Sequence, residues 1–306
     1  MANDRIGFIG LGSMGAPIAE RFLAAGRDLV VCDAAAERVA PLQAAGARVA
    51  LTPRETADAA ETVFSCLPSP AIGREVALGA DGVMHGRAVQ IYVDLSTMGM
   101  QAATEIASGL PERVGFIDAP VSGGPPGARA GTLATMASGR RAHFERALPA
   151  LSVMAKHVFH VGEKPGLAQI AKLINNHLST AGRLATFEGL VLALKAGLDL
   201  RTLIDVINVS SGRNYTTTDK VPAAILSGTF KFNGRLAISI KDQTLLQEEA
   251  VALGAPLWVA PQLLATLTEA ANSGYREEDS MLLLQYMAEQ AGIDLRALLA
   301  AQTRPS

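Results

Sequence analysis

A short apolar strand that breaks directly into three spaced glycines and then into a helix leaves few folds open. Arg5-Ile-Gly-Phe-Ile9 reads as such a strand and runs straight into Gly10-Leu11-Gly12-Ser13-Met14-Gly15. Ala16 to Ala25 follows with Ile18, Phe22 and Leu23 at helical spacing, and Gly26 ends the run. A GxGxxG string is weak evidence alone. Between a strand and a helix it predicts a dinucleotide-binding turn, with all six residues against the cofactor. The glycines permit the tight turn and a close backbone approach to a pyrophosphate, which the helix N-terminus stabilises.

A second strand, Asp28 to Cys32, ends in Asp33, 18 residues after Gly15. A carboxylate there accepts hydrogen bonds from an adenosine ribose. Positions 34 to 36 are all Ala, so no cation immediately follows it. The acid therefore favours NAD over NADP, although Arg38 lies close enough in sequence to meet a 2′-phosphate and keeps NADP possible. The alternative for Asp33 is a turn residue, or a cap for the helix from Glu37.

Further βα units are expected at Arg48-Val-Ala before Thr52-Pro-Arg-Glu55, at Thr62–Leu67 before Pro68-Ser-Pro70, at Gln90–Leu95 before Ser96-Thr97, and at Gly115–Ala119. Strands at 132–137 and 156–161 extend the same domain. Alternating strands and helices predict a parallel, doubly wound Rossmann sheet over residues 1–164. Ligands on such sheets sit at the carboxyl ends of strands, which places Gly10, Asp33, Leu67, Pro68, Thr97 and Ser122 on the binding edge. Ser122-Gly123-Gly124 offers a hydroxyl and unobstructed backbone N–H groups to a carboxylate. Gly-Gly after a strand is also a common plain turn.

From 165 to 306 the pattern becomes all-helical, with segments at 181–196, 199–208, 218–226, 240–253, 258–272 and 278–290. A long interdomain helix opens it, apolar at Leu167, Ile170, Ile174, Leu178, Leu184 and Leu190 and closed by Gly197. Lys172, Asn175, Asn176 and Ser179 share one face of that helix. Such a lysine beside two amides is either a site or a snorkelling cation on a core helix. Lys241-Asp242, read alone, is a solvated charge pair.

Basic and acidic residues number 27 and 29, a net charge of −2 with no basic tract, which argues against nucleic acid. Cys32 and Cys66 read as reduced core thiols of a cytoplasmic protein. No leader and no bilayer-length apolar run is evident, so no membrane association is expected. His157 and His160 have metal-like spacing without further ligands close in sequence, and no metal site is expected.

Assembled, the chain resembles the β-hydroxyacid dehydrogenase family, which includes 3-hydroxyisobutyrate dehydrogenase and tartronate semialdehyde reductase. The resemblance spans essentially the whole chain through Gly10–Pro17, Asp94–Thr97, Asp118–Gly124 and Lys172–Asn176, with Lys241-Asp242 as a fifth match. It implies Lys172 as the catalytic lysine and Asn176 or Asn175 as its orienting amide. It implies Ser122, Gly123 and Gly124 as the substrate carboxylate site, and Thr97 and Lys241 as cofactor contacts with Asp242 nearby. Met100 stands where a proline is usual, and Pro125-Pro126 follows Gly-Gly where flexible residues are common, so the substrate itself does not carry over. Arg213, in Ser210–Tyr215, is a candidate for a second anionic group.

The expected reaction is hydride transfer between NAD(H) and the 3-carbon of a small anionic 3-hydroxy acid or its aldehyde. A buried lysine serves as acid or base when its surroundings bring its pKa toward the working pH. Rivals are an imine- or aldehyde-reducing enzyme of the same fold and a non-catalytic dinucleotide-binding protein; Lys172 argues against the imine reductase and the non-catalytic protein. A long apolar helix is hard to cover with one small helical domain, so a homodimer or homotetramer is expected.

Overall fold

The computed structural model describes residues 5–302. Backbone contacts divide the chain into two compact units, one through Leu173 and one from Ile174. Gly166, Ala168 and Gln169 are hydrogen-bonded into the first unit.

In the first unit the strands are β1 (Ile6–Ile9), β2 (Leu29–Cys32), β3 (Arg48–Val49), β4 (Thr62–Ser65), β5 (Ile91–Asp94), β6 (Gly115–Asp118), β7 (Val121–Ser122), β8 (Leu133–Ser138) and β9 (Ala155–Gly162). The helices are α1 (Gly15–Ala24), α2 (Ala36–Ala44), α3 (Pro53–Ala59), α4 (Pro70–Leu78), α5 (Met100–Gly109), α6 (Gly124–Ala130) and α7 (Arg141–Met154). The sheet order is β3-β2-β1-β4-β5-β6-β8-β7, with β9 paired to β8. Strands β3 to β6 along this order are parallel, as expected of a doubly wound sheet. Beyond β6 the sheet becomes mixed. There β8 runs antiparallel to β6 and β7, because β7 keeps the direction of β6 past Pro120 and the chain reverses only through α6.

β1, β2, β5 and β6 are buried at every position, which is why they read as continuous apolar runs. Alternate residues feed two layers. Ile6, Phe8, Val31, Val93 and Ile117 pack on one face, and Ile9, Val30, Val63, Tyr92 and Phe116 on the other. α6 was not expected from the sequence. Its prolines, Pro125 and Pro126, occupy the first turn, where the missing N–H costs no helical bond.

α8 (Leu167–Ala196) is one continuous helix of 30 residues. Gly197 closes it at φ 78°, with Gly197 N on Leu194 O and Leu198 N on Ala193 O, the double bond pattern of a glycine-capped end. The second unit continues with α9 (Leu200–Asn208), a π-helix (Thr216–Ile225), α10 (Leu236–Leu253), α11 (Ala260–Ala270), α12 (Leu283–Gln290) and α13 (Leu295–Gln302). Its own core gathers Leu184, Phe187 and Leu190 of α8 with Ile204, Val221, Leu267 and Leu284. The helix expected at 218–226 is π-helical and contains Pro222, which has no N–H for the usual i→i−4 bond. The helix expected from residue 240 begins at Leu236, so Lys241-Asp242 lies in its second turn rather than at its start.

Candidate active site

The glycine turn assigns each glycine a different task. A Cβ on Gly10, at φ 90°, would stand 2.5 Å from Cys66 O, so this position must turn without a side chain. A Cβ on Gly15 would stand 1.9 Å from Gly10 O and 3.1 Å from Phe8, so α1 packs directly on β1 there. Nothing lies within 4 Å of a Cβ on Gly12. That open backbone is where a pyrophosphate can approach. α1 carries no acidic residue in its first turn and no side-chain cap on Met14; Ala16 N bonds Gly12 O and Pro17 has no N–H, so an anion here would meet the turn's backbone and the positive end of the helix dipole.

Asp33 does two jobs. Its Oδ2 accepts from Leu11 N at 2.6 Å and its Oδ1 from Ala35 N at 2.8 Å, fixing the turn and the strand end together. The turn-residue alternative is therefore realised, whereas the cap of α2 is Ala35. A carboxylate has about four acceptor positions, so it keeps capacity for ribose hydroxyls. Arg38 Nη1 lies 3.6 Å away. These residues fit a dinucleotide.

The binding edge is built on buried carboxylates that the sequence reading used only as motif markers. Asp94 and Asp118 are register partners on β5 and β6, and both are fully buried. Asp94 accepts from Ser65 Oγ at 2.8 Å and Ser96 N at 2.6 Å, and Ser96 Oγ accepts from Leu67 N at 2.8 Å. This network sets the loops carrying Leu67, Pro68 and half-buried Thr97. Asp118 Oδ1 accepts from Ser138 Oγ at 2.6 Å and Gly166 N at 3.0 Å, and Ser138 Oγ accepts from Ala168 N at 3.0 Å. Burial pushes both carboxyls up, Asp118 to about 6.

Gln169 completes the anchorage. Its Oε1 accepts from Met98 N at 3.0 Å and Gly99 N at 3.3 Å, and its Nε2 donates to Ser96 O at 3.1 Å. The first turn of α8 is thus fastened to the ends of β5, β6 and β8. Lys172, one turn on from Ala168, is 8% exposed. Gly166, at φ 93°, packs on Met100 so closely that a Cβ would meet its Cγ at 2.6 Å. Met100 opens α5, a place a proline would also fit, so its presence leaves the helix start intact.

Ser122 ends β7, and Gly123 and Gly124 follow at φ 127° and 62°, conformations that glycine adopts without strain. Gly123 lies between β7 and α6, and Gly124 opens α6.

In the second unit, Asn176 Nδ2 donates to Asp242 Oδ2 at 2.6 Å, and Asn175 Nδ2 donates to Asn176 Oδ1 at 3.2 Å. Asn175 is exposed and Asn176 half-buried. Lys241 Nζ lies 3.1 Å from Asp242 Oδ1, so the pair that read as solvated is an ion pair on a buried carboxylate. His177 Nδ1 lies 3.0 Å from Gln243 Oε1. Arg213 stands on an exposed turn. Sequence reasoning missed Gln169, Ser138 and the two strand-end carboxylates as structural supports. The signal for Gln169 was a lone amide in an otherwise apolar helical turn.

Comparison with known proteins places these observations in a family. Residues 5–162 match the model of the NAD binding domain of 6-phosphogluconate dehydrogenase, and residues 166–287 match that of the NAD-binding region of NADP-dependent 3-hydroxyisobutyrate dehydrogenase. The chain is 32% identical over 293 residues to 2-(hydroxymethyl)glutarate dehydrogenase of Eubacterium barkeri, covering 95% of this chain and 97% of that one. It is 33% identical over 287 residues to NAD-dependent L-serine dehydrogenase of Pseudomonas aeruginosa, covering 90% and 95%. The solved structure of Mycobacterium tuberculosis 3-hydroxyisobutyrate dehydrogenase with L-serine superposes with a TM-score of 0.86 at 29% identity, covering 93% of this chain and 99% of that one.

Proposed function

The chain belongs to the 3-hydroxyisobutyrate dehydrogenase family of β-hydroxyacid dehydrogenases, and from that premise we propose how its own residues carry the reaction. It is an NAD(P)-dependent oxidoreductase acting on the CH–OH group of a small hydroxy acid. The bound nicotinamide supplies the hydride chemistry.

Lys172 takes the hydroxyl proton in oxidation and returns it to the carbonyl oxygen in reduction. The observation that carries this is its setting: a buried lysine on a helix turn fastened to the binding edge by Asp118, Ser138 and Gln169. Such a turn cannot shift without breaking several buried hydrogen bonds, and an acid–base group must be held in place. Asn176, one turn further on the same helix and held by Asp242, orients the reacting oxygen; Asn175 supports it. Ser122, Gly123 and Gly124 take the carboxylate. Thr97, Leu67, Pro68 and Lys241 contact the cofactor, with Gly10 to Gly15 at its phosphates.

Asp33 makes NAD the preferred cofactor, because its carboxylate accepts ribose hydroxyls and repels a 2′-phosphate. Arg38 beside it leaves NADP usable. A panel of 3-hydroxy acids and their semialdehydes, assayed with both cofactors by nicotinamide absorbance, tests the reading. Turnover of a 3-hydroxy acid with higher kcat/KM on NAD supports it. No turnover of any member, or a preference for imines, contradicts it.

Among the described residues no helix is long and apolar enough to cross a membrane. The reading places the enzyme in the cytoplasm, supported by two cysteines that form no disulfide. It also makes the enzyme a homodimer or homotetramer. Leu192 on α8 and Trp258 before α11, 70% and 82% exposed, are apolar surface for a second copy to cover. Sedimentation as a monomer at micromolar concentration would contradict the assembly.

A further inference from the structure

The second unit buries two cations without an ion pair. Lys220, in the π-helix, is 8% exposed, and Arg183, on α8, is 4% exposed. Among the described residues neither lies within ion-pair distance of a carboxylate. The nearby acids are engaged elsewhere. Asp279 accepts from the backbone N–H groups of Phe232, Asn233 and Met281, and Asp219 is exposed and bonded to Thr218. Arg183 spends its terminal nitrogens on Ser280 and Ser239, and its Nε has no partner.

Lys220 makes one hydrogen bond among the described residues, to Ser179 Oγ at 3.2 Å. An ammonium has three donors, so two remain. The rings of Tyr215 and Phe232 flank it, 5.4 and 5.8 Å from Nζ. Ring faces offset part of the cost of burying a cation but satisfy no N–H directionally. Ser179 and Phe232 are half-exposed and Tyr215 is exposed, so the nitrogen lies beneath an opening rather than in a sealed core. Ser179 stands on α8 at i+7 from Lys172 and i+3 from Asn176, on the same face and about 10 Å along the axis from Lys172.

We propose that Lys220 and Ser179 form an anion seat for a second carboxylate of the substrate, which makes the preferred substrate a dicarboxylic β-hydroxy acid. The inference rests on Lys172 and Asn176 serving the reacting carbon. Exposed Arg213 is then not the residue that reads the second charge.

The test compares 3-hydroxypropionates bearing at C2 either a methyl or a 2-carboxyethyl group. Wild type should favour the dicarboxylate in kcat/KM, and Lys220→Met should lower that preference about tenfold or more, the cost of losing one charge-assisted hydrogen bond. Lys220→Arg should restore much of it. Burial and the Arg183 charge lower the Lys220 pKa to about 8. The dicarboxylate KM should therefore rise above that pH as the seat loses its charge, in the presence of Arg183, Asp279, Asp219 and Tyr215. Equal preference in wild type, or an unaltered preference in Lys220→Met, overturns the proposal. Should neither acid turn over, the reaction assignment fails while the seat is still judged by binding. A melting-temperature rise with glutarate but not butyrate, lost in Lys220→Met, supports the seat, and no such rise overturns it.

Discussion

The Asn176 side-chain amide donates to Asp242 Oδ2 at 2.6 Å, across 66 residues of sequence. In the proposed role this bond sets the orientation of the amide that Asn176 would present to the substrate. Asp242→Ala frees the amide to rotate and removes the carboxylate 3.1 Å from Lys241 Nζ. A misplaced orienting group lowers kcat by about 10-fold to 100-fold while leaving substrate KM comparatively steady. Asp242→Asn keeps an acceptor oxygen and should retain more of the rate. Steady-state kinetics on both variants checks this; a loss confined to KM would argue against a positioning role.

Gln169 joins the first turn of α8 to the loop after β5 through three buried hydrogen bonds. Gln169→Leu leaves two buried N–H groups and one carbonyl without partners. Each such orphan costs about 1–3 kcal/mol. The melting temperature should fall by several degrees, and kcat in the folded protein should fall because Lys172 is less firmly placed. NAD affinity should change little, since the glycine turn is anchored separately by Asp33. Unchanged kcat with a lowered melting temperature would limit Gln169 to stability.

Asp118 makes stability depend on pH in an unusual direction for an acid. Unfolded, it titrates near 3.8; folded, burial raises it to about 6. Between those values the folded protein holds a proton that the unfolded chain has released. Stability from this group therefore grows as pH falls through 6 and is lost as pH rises through it. Asp118→Asn cannot titrate, and its amide oxygen still accepts from Ser138 and Gly166. From about pH 7 to about pH 5, wild type should gain on the order of 1–3 kcal/mol relative to Asp118→Asn. Melting curves across that range decide it; a constant difference would contradict the assignment.

How much was legible in the sequence follows the reach of each interaction. The glycine turn, the acid ending β2 and the lysine–amide face of α8 are local patterns, and the structure realises each as an element of the expected type. Asp94, Asp118 and Gln169 act through partners up to 73 residues away, which no local period encodes. The antiparallel β8 escaped because strand composition does not record direction. Lys220 is buried between α8 and the rings of Tyr215 and Phe232, a setting that no local sequence period encodes. Pro125-Pro126 stands in the first turn of α6, a helix the sequence did not announce, since proline at a first turn and proline in a loop are identical in sequence.

If Lys172 moves the substrate proton, its loss must show in turnover rather than in cofactor binding. The direct measurement is kcat, NAD affinity and melting temperature on one preparation of Lys172→Ala. Proton transfer by Lys172 predicts a loss of about 100-fold or more in kcat, with NAD affinity near wild type because the proposed cofactor contacts, Gly10 to Gly15 and Asp33, are untouched. Lys172→Arg should rescue poorly, because a guanidinium does not release its proton near neutral pH. A Lys172→Ala protein that binds NAD normally and turns over at near wild-type kcat would rule out Lys172 as the proton carrier.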